Sequence, residues 1–165
     1  MDWATAIKLL HIIGTVLGVG GETLGSIFYF RALRDGNINP TESEFLRVSF
    51  QVLRVGLILL VISGFGYFLN MRFSEHTAYI FEPRLIAKLS LVVILLGNAL
   101  LLHMHKIPMW IGGAISITSW YAALILGGWR GLDASLLTIT LVYLAFVVVV
   151  AIGERTLRKM MHIPL

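Results

Sequence analysis

The sequence predicts an all-α integral membrane protein, a bundle of five transmembrane helices that forms one domain over residues 1–165. Of the 165 residues, 58% are hydrophobic and only 13% are charged, whereas a soluble domain is about 45–50% apolar and about 25% charged. The mean hydropathy is +0.86, and a core of this size cannot bury so much apolar surface. The apolar residues also form five runs, each long enough for the roughly 20 helical residues that cross the hydrocarbon.

The first two spans are predicted at about residues 5–30 and 48–69. The first apolar run ends at Arg31 and Arg34, and the sequence DGNINP at residues 35–40 is typical of a turn. The sequence TESE at residues 41–44 matches a capping box. We therefore expect the second helix to begin before the membrane surface.

The other three spans are predicted at about residues 84–103, 108–128 and 134–153. Pro83 and Pro108 lie where a proline favours the first turn of a helix. Asp133 is the predicted N-cap of the fifth helix, which is expected to end near Gly153. The connections after the third and fourth spans are short, so these spans should pack as antiparallel neighbours.

The distribution of basic residues predicts the orientation in the membrane. Five spans place the two termini on opposite sides. Cytoplasmic loops carry the excess of Lys and Arg, so we expect the N-terminus outside and the C-terminus in the cytoplasm. Seven basic residues lie on the side predicted to be cytoplasmic, namely Arg31, Arg34, Arg47, Lys106, Arg155, Arg158 and Lys159. Four lie on the side predicted to be outside, namely Lys8, Arg72, Arg84 and Arg130.

The composition also excludes several function classes. The chain has no cysteine, which excludes a disulfide framework, an iron–sulfur cluster and a thiolate zinc site. The basic residues lie mainly at the ends of apolar runs, so no nucleic-acid partner is expected. The glycine-rich run at residues 18–21 lies inside a span, which excludes a nucleotide-binding loop there.

Two ionisable residues, His11 and Glu22, lie on one face of the first span. Ionisable groups in the hydrocarbon are costly and by default indicate function. The structural alternative is that both are satisfied by hydrogen bonds where this face packs against other helices. Small residues near the same face would permit close approach of a partner helix or a second copy of the chain, and these are Gly14, Gly18, Gly21 and Gly25.

The depth of the polar residues predicts two layers. In the outer half, His11, Tyr67 and Lys88 are the candidates for contacts with a cofactor. Deeper in the membrane, Glu22, Asn98 and Ser116 lie at one level and form a candidate path for protons or ions. His11 and Glu22 are also the candidate metal ligands.

Two segments resemble known families. The sequence IKLLHIIG at residues 7–14, continuing to Gly20 and Gly21, resembles the first helix of several small bacterial membrane families. These are largely uncharacterised proteins, the membrane domain of the copper-resistance protein CopD, and HemJ-type protoporphyrinogen oxidases. The sequence PRLIAKLSLV at residues 83–92 is similar to the HemJ helix with an A-K-L-x-L-V stretch. The HemJ resemblance implies a haem b or porphyrin site that uses His11 and Lys88. The resemblance to bacterial families also implies a location in the bacterial inner membrane.

Three functions remain open on the sequence. The first is a haem b or porphyrin-binding redox protein, which is either a redox carrier or, if it is an enzyme, a membrane oxidoreductase of the HemJ kind. The second is a transport component for protons or for a metal such as copper, which would use His11 and Glu22, with Lys88 as a further candidate. The third is an accessory subunit of a membrane complex that binds partner helices through its glycines.

Overall fold

The computed structural model of the protein describes residues 2–32, 38–73, 82–129 and 133–160. All five helices in these ranges are long and apolar enough to cross a membrane. The predicted fold class is therefore confirmed, and the chain is an all-α, multi-pass integral membrane protein. The helices are α1 (Trp3–Ala32), α2 (Pro40–Phe73), α3 (Pro83–His103), α4 (Met109–Gly128) and α5 (Leu136–Met160).

Helix α4 lies at the centre of the bundle. It contacts α1, α3 and α5, while α1 and α2 form the most extensive helix pair. Trp120 of α4 is completely buried and packs against Leu57 and Leu60 of α2 and Leu95 of α3. The most apolar stretch of α5 contains no buried residue, so α5 presents most of its apolar surface to lipid.

The glycines of α1 allow α2 and α4 to approach closely. A Cβ atom added to Gly56 of α2 would lie 2.8 Å from the carbonyl oxygen of Gly14, and one added to Gly18 would overlap the Trp120 ring. Gly21 and Gly25 face Leu53 and Ser49 of α2. The glycine face of α1 is thus covered by α2 and α4 of the same chain. An association of two chains through these glycines stays a prediction, and it requires α2 to move away.

The N-terminus of α2 has the predicted kind of cap, two residues earlier than expected. The Glu42 amide donates to Asn39 Oδ1 at 2.9 Å, and the Asn39 amide donates to Glu42 Oε2 at 3.0 Å. This reciprocal pair is a capping box with Asn39 as the N-cap and Pro40 in the first turn. The box proposed at residues 41–44 is therefore wrong in register, because Asn caps as well as Ser or Thr does.

Helix α5 differs from its prediction at both ends. Ser135, rather than Asp133, is the N-cap, because its hydroxyl oxygen accepts the Thr138 amide at 3.1 Å. The helix also continues through Gly153 to Met160, since one glycine inside a helix costs only about 0.5–1 kcal/mol. Two charged residues in this extra segment, Glu154 and Arg158, are buried.

The starts of α3 and α4 follow their prolines. Pro83 is the first residue of α3, as predicted, whereas Pro108 is the N-cap of α4, which begins at Met109. The predicted turn at residues 35–37 and the basic residues Arg34 and Arg130 lie outside the described residues.

Candidate functional site

The outer polar layer is built around His11. Its Nδ1 atom lies 3.0 Å from the Ser63 hydroxyl oxygen, and that hydroxyl donates to the carbonyl oxygen of Leu59 at 2.6 Å. A hydroxyl has one proton to donate, so Ser63 accepts from His11 and Nδ1 carries the hydrogen. The second ring nitrogen, Nε2, makes no hydrogen bond within the described part of the chain and keeps its lone pair when the imidazole is neutral.

Tyr67 and Lys88 complete this layer. The Tyr67 ring meets the His11 ring edge to face, with the centroids 5.5 Å apart. The Lys88 ammonium is close enough to His11 to interact with it electrostatically. The structure thus brings together the three residues predicted for the outer layer, and their role as cofactor ligands stays a prediction.

Glu22 lies in the deeper layer, where only 7% of its surface is exposed. The Ser116 hydroxyl donates to Glu22 Oε2 at 2.5 Å, and the Ser26 hydroxyl donates to Oε1 at 3.4 Å. Asn98 was placed at the same level, but its amide nitrogen donates to the carbonyl oxygen of Gly112 at 2.9 Å. Ser116 is therefore a partner of Glu22, whereas Asn98 joins α3 to α4.

His11 and Glu22 do not form one metal site. They are separated by three helical turns, about 16 Å along the axis of α1. His11 contacts α2 and Glu22 contacts α4. Across residues 2–32, 38–73, 82–129 and 133–160, no group of three or more His, Cys, Asp or Glu side chains is arranged to hold a metal ion.

A second carboxyl group, that of Glu154 on α5, lies in the same region as Glu22. Glu154 is 9% exposed, and its two oxygens lie 3.1 and 3.2 Å from where a Cβ atom would be on Gly113 of α4. The carboxyl group therefore fills the space that a side chain at position 113 would need. Glu154 is also close enough to Glu22 for their charges to interact.

Arg158 is the third charged group of this region and lies one helical turn after Glu154. It is 5% exposed, its Nη2 donates to the Tyr29 hydroxyl oxygen, and its guanidinium lies over the Tyr29 ring, 5.3 Å from the centroid. Its Nε atom is buried and has no hydrogen-bond partner among the described residues.

These residues form an inner cluster between α1, α4 and α5, composed of Glu22, Ser26, Tyr29, Ser116, Glu154 and Arg158. The sequence interpretation found Glu22 and Ser116 but missed Glu154 and Arg158, because the fifth span was expected to end before them. Their spacing of four residues, which places both on one helix face, was the available signal. The two carboxyl groups can take up and release protons, whereas the guanidinium of Arg158 stays protonated and acts as a fixed positive charge.

A half-open apolar pocket of the bundle lies elsewhere. It has a volume of about 740 Å³, lies between α3, α4 and α5, and has mainly apolar walls that include Leu91, Tyr121 and Phe146. His11, Tyr67 and Lys88 do not line it. The predicted cofactor residues therefore face a different part of the bundle.

Comparisons with protein-family models, with curated proteins and with solved structures find no match for this chain. A fold alone does not define a function. The function must therefore be argued from the two polar layers.

Proposed function

We propose that the protein is a proton-transport component of the membrane, with Glu22 and Glu154 as the groups that take up and release the proton. One observation carries this proposal, which is that two buried carboxyl groups lie against neighbouring positions of α4, Glu154 at Gly113 and Glu22 at Ser116. Burying two such groups without an ion-pair partner is costly, and buried carboxyl groups between transmembrane helices characterise proton relays. A purely structural polar contact needs only one of them.

The hydrogen bonds of Glu22 favour a proton over a metal ion as the transported species. Both of its oxygens accept from serine hydroxyls, those of Ser116 and Ser26. A hard cation needs several oxygen atoms whose lone pairs point at it, whereas these hydroxyls point their hydrogens at the carboxyl group. His11, on the same face of α1 and nearer the predicted outer surface, is the second station of the proposed path.

The test is proton flux into liposomes that contain the purified protein and a pH-sensitive dye. A potassium gradient with valinomycin sets the membrane potential. We expect flux with the wild-type protein, its loss in Glu22→Gln and in Glu154→Gln, and unchanged flux in Glu44→Gln, whose carboxyl group is exposed near the start of α2. A wild-type flux equal to that of protein-free liposomes overturns the proposal.

The orientation of His11 favours a second candidate function, the binding of haem b or copper. A metal-bound histidine usually donates its other ring N–H to a neighbouring group, and Ser63 accepts from Nδ1 in this way. The residues present provide one axial ligand for a haem iron, His11 Nε2. A bound haem would supply one-electron chemistry. The visible spectrum of protein expressed with ample haem tests this candidate, and a colourless protein without bound copper overturns it.

A further inference from the structure

Glu154 and Arg158 lie one turn apart on α5, and both are buried. They would carry opposite charges if Glu154 were ionised. A carboxylate four residues before a cation is the favourable order for an ion pair on a helix. In this structure the two side chains do not pair, because Arg158 binds the hydroxyl oxygen and ring face of Tyr29.

Arg158 retains unused hydrogen-bonding capacity, because its Nε atom is buried and has no hydrogen-bond partner within the described ranges. No ion pair joins Arg158 to Glu154 in those ranges. Breaking a buried charge pair without replacing the partner is strongly destabilising. The arrangement seen is therefore suited to a neutral, protonated Glu154.

We propose that Arg158 is a movable counter-charge that exchanges between Tyr29 and Glu154 and thereby controls the protonation of Glu154. This inference rests on the proposed proton transport. When Glu154 holds a proton, Arg158 lies on Tyr29. When the Glu154 O–H bond breaks, the proton leaves to water, the electron pair stays on the carboxylate, and Arg158 turns to pair with it.

The surroundings of Glu154 restrict the exchange to Arg158 as the cation that pairs with it. Among the described residues of the inner cluster, α1 contributes the titratable groups of Glu22 and Tyr29, and α4 contributes the uncharged Ser116, with Gly113 against the Glu154 carboxyl group. The next cation on α5, Arg155, lies over the Trp110 ring at 5.9 Å and is engaged there. Arg158 is thus the cation placed to neutralise Glu154.

Tyr29 binds Arg158 weakly enough for Arg158 to leave it. A phenol is uncharged, so its hydrogen bond and its ring face attract a guanidinium less strongly than a buried carboxylate does. Because Glu154 and Arg158 are on adjacent turns of one helix, a change of the arginine rotamer is enough to bring them together. No movement between helices is required.

The exchange can be tested by infrared difference spectroscopy as the pH is raised, using the wild-type protein in lipid. We expect the loss of the Glu154 carboxyl C=O band to coincide with a shift of guanidinium bands. Glu154→Gln should lose both signals, Arg158→Lys should lose the guanidinium shift, and Arg155→Gln should keep both. Guanidinium bands that stay constant while the Glu154 band disappears overturn the inference, as does a Glu154 band that never changes.

Proton flux provides a second readout that separates this inference from the proposed function. Tyr29→Phe keeps the ring but removes the oxygen that accepts from Arg158, so Arg158 should stay on Glu154 and flux should fall several-fold. Arg155→Gln should leave flux at the wild-type value. If the wild-type protein shows no flux but the coupled infrared shift is present, proton transport is wrong and the exchange stands. If flux is present and the guanidinium shift is absent, transport stands and the exchange is wrong.

Discussion

The Ser116 hydroxyl donates a hydrogen bond of 2.5 Å to the carboxyl group of Glu22 and joins α4 to α1 inside the bundle. The bond links a residue of the central helix to an ionisable residue about 15 Å from the end of α1. It therefore serves the packing of two helices and also fixes the position of a group that can carry a proton. Substitutions at Glu22 separate these two roles.

Glu22→Gln is expected to retain the fold and lose proton flux. The amide oxygen of Gln still accepts from Ser116, but an amide does not take up or release a proton at accessible pH. Thermal unfolding in detergent should give a midpoint near that of the wild type, while the liposome assay should show no flux. If Glu22→Gln is fully active in an assay that His11→Ala disrupts, Glu22 is structural and the path with two stations is wrong.

Glu22→Ala is expected to lower the stability as well. It leaves the half-buried Ser116 hydroxyl without its acceptor. An unpaired donor that is fully buried costs about 1–3 kcal/mol, so we expect a loss at the lower end of this range. Asn98 should not contribute to this loss, because it is bonded to Gly112 rather than to Glu22. Glu44→Gln, at an exposed position of α2, is the matched control. Equal unfolding midpoints for the Ala and Gln variants would show that the bond to Ser116 adds nothing to stability.

Gly56→Ala is expected to destabilise the pair formed by α1 and α2. The new Cβ atom would lie 2.8 Å from the carbonyl oxygen of Gly14, and backbone cannot move aside as a flexible side chain can. Overpacking of this kind costs about 1–3 kcal/mol. Gly64→Ala, on the same helix with no atom within 4 Å of the new Cβ, should be neutral or slightly stabilising. Equal unfolding midpoints for the two variants would contradict the close crossing.

Much of the fold could be predicted from the sequence because the membrane restricts the choice of structure. Lipid cannot satisfy backbone polar groups, so each long apolar run must form a helix. The same reasoning by depth placed Glu22 beside Ser116, and a hydrogen bond joins them. The outer group of His11, Tyr67 and Lys88 was also found, since these residues lie at one level.

The inner cluster could be predicted only in part. Apolar composition marks where a helix crosses lipid, but it does not show how far the helix continues beyond the apolar run. Glu154 and Arg158 are buried because α5 extends to Met160 and packs that turn near α1 and α4. The partner of Asn98 could not be predicted for a related reason, since depth alone does not say that its side chain points to Gly112 rather than to Glu22.

A reporter fused to the C-terminus is expected to behave as cytoplasmic. Helices α1 and α5 end on the same side, where Arg31, Arg155 and Lys159 are exposed. Arg158 adds less to this charge signal than the sequence suggested, because it is buried in the inner cluster. An alkaline phosphatase fusion is active when the C-terminus is outside, and a fluorescent-protein fusion is fluorescent when it is in the cytoplasm. An active phosphatase at the C-terminus would reverse the orientation.

Ser63→Ala is expected to change a metal or haem site at His11 without abolishing it. The substitution removes the acceptor that holds His11 Nδ1, so the ligand orientation changes while the ligand itself remains. If the protein binds haem b, Ser63→Ala should shift the Soret band and His11→Ala should remove it. His103→Gln, at the opposite end of the bundle, is the control. A spectrum unaffected by His11→Ala would exclude His11 as the ligand.

Gly113→Ala tests whether the position of the Glu154 carboxyl group matters. A Cβ atom there would lie 3.1 and 3.2 Å from the two carboxyl oxygens, so the flexible Glu154 side chain must shift. Because a side chain can give way more easily than backbone, and alanine favours a helix over glycine, we expect a small change in the unfolding midpoint. Proton flux should fall, since the carboxyl group is moved relative to Glu22 and Arg158.

The matched control is Gly127→Ala on the same helix, where no atom lies within 4 Å of the new Cβ. This variant should transport as the wild type does, so any change common to both variants reflects the helix rather than the site. If Gly113→Ala also transports at the wild-type rate while Glu154→Gln does not, the path needs the carboxyl group but tolerates its displacement. If Gly113→Ala and Glu154→Gln both transport at the wild-type rate, Glu154 is not part of the path. Among the described residues of the inner cluster, Glu22 is then the one carboxyl group that remains on the path.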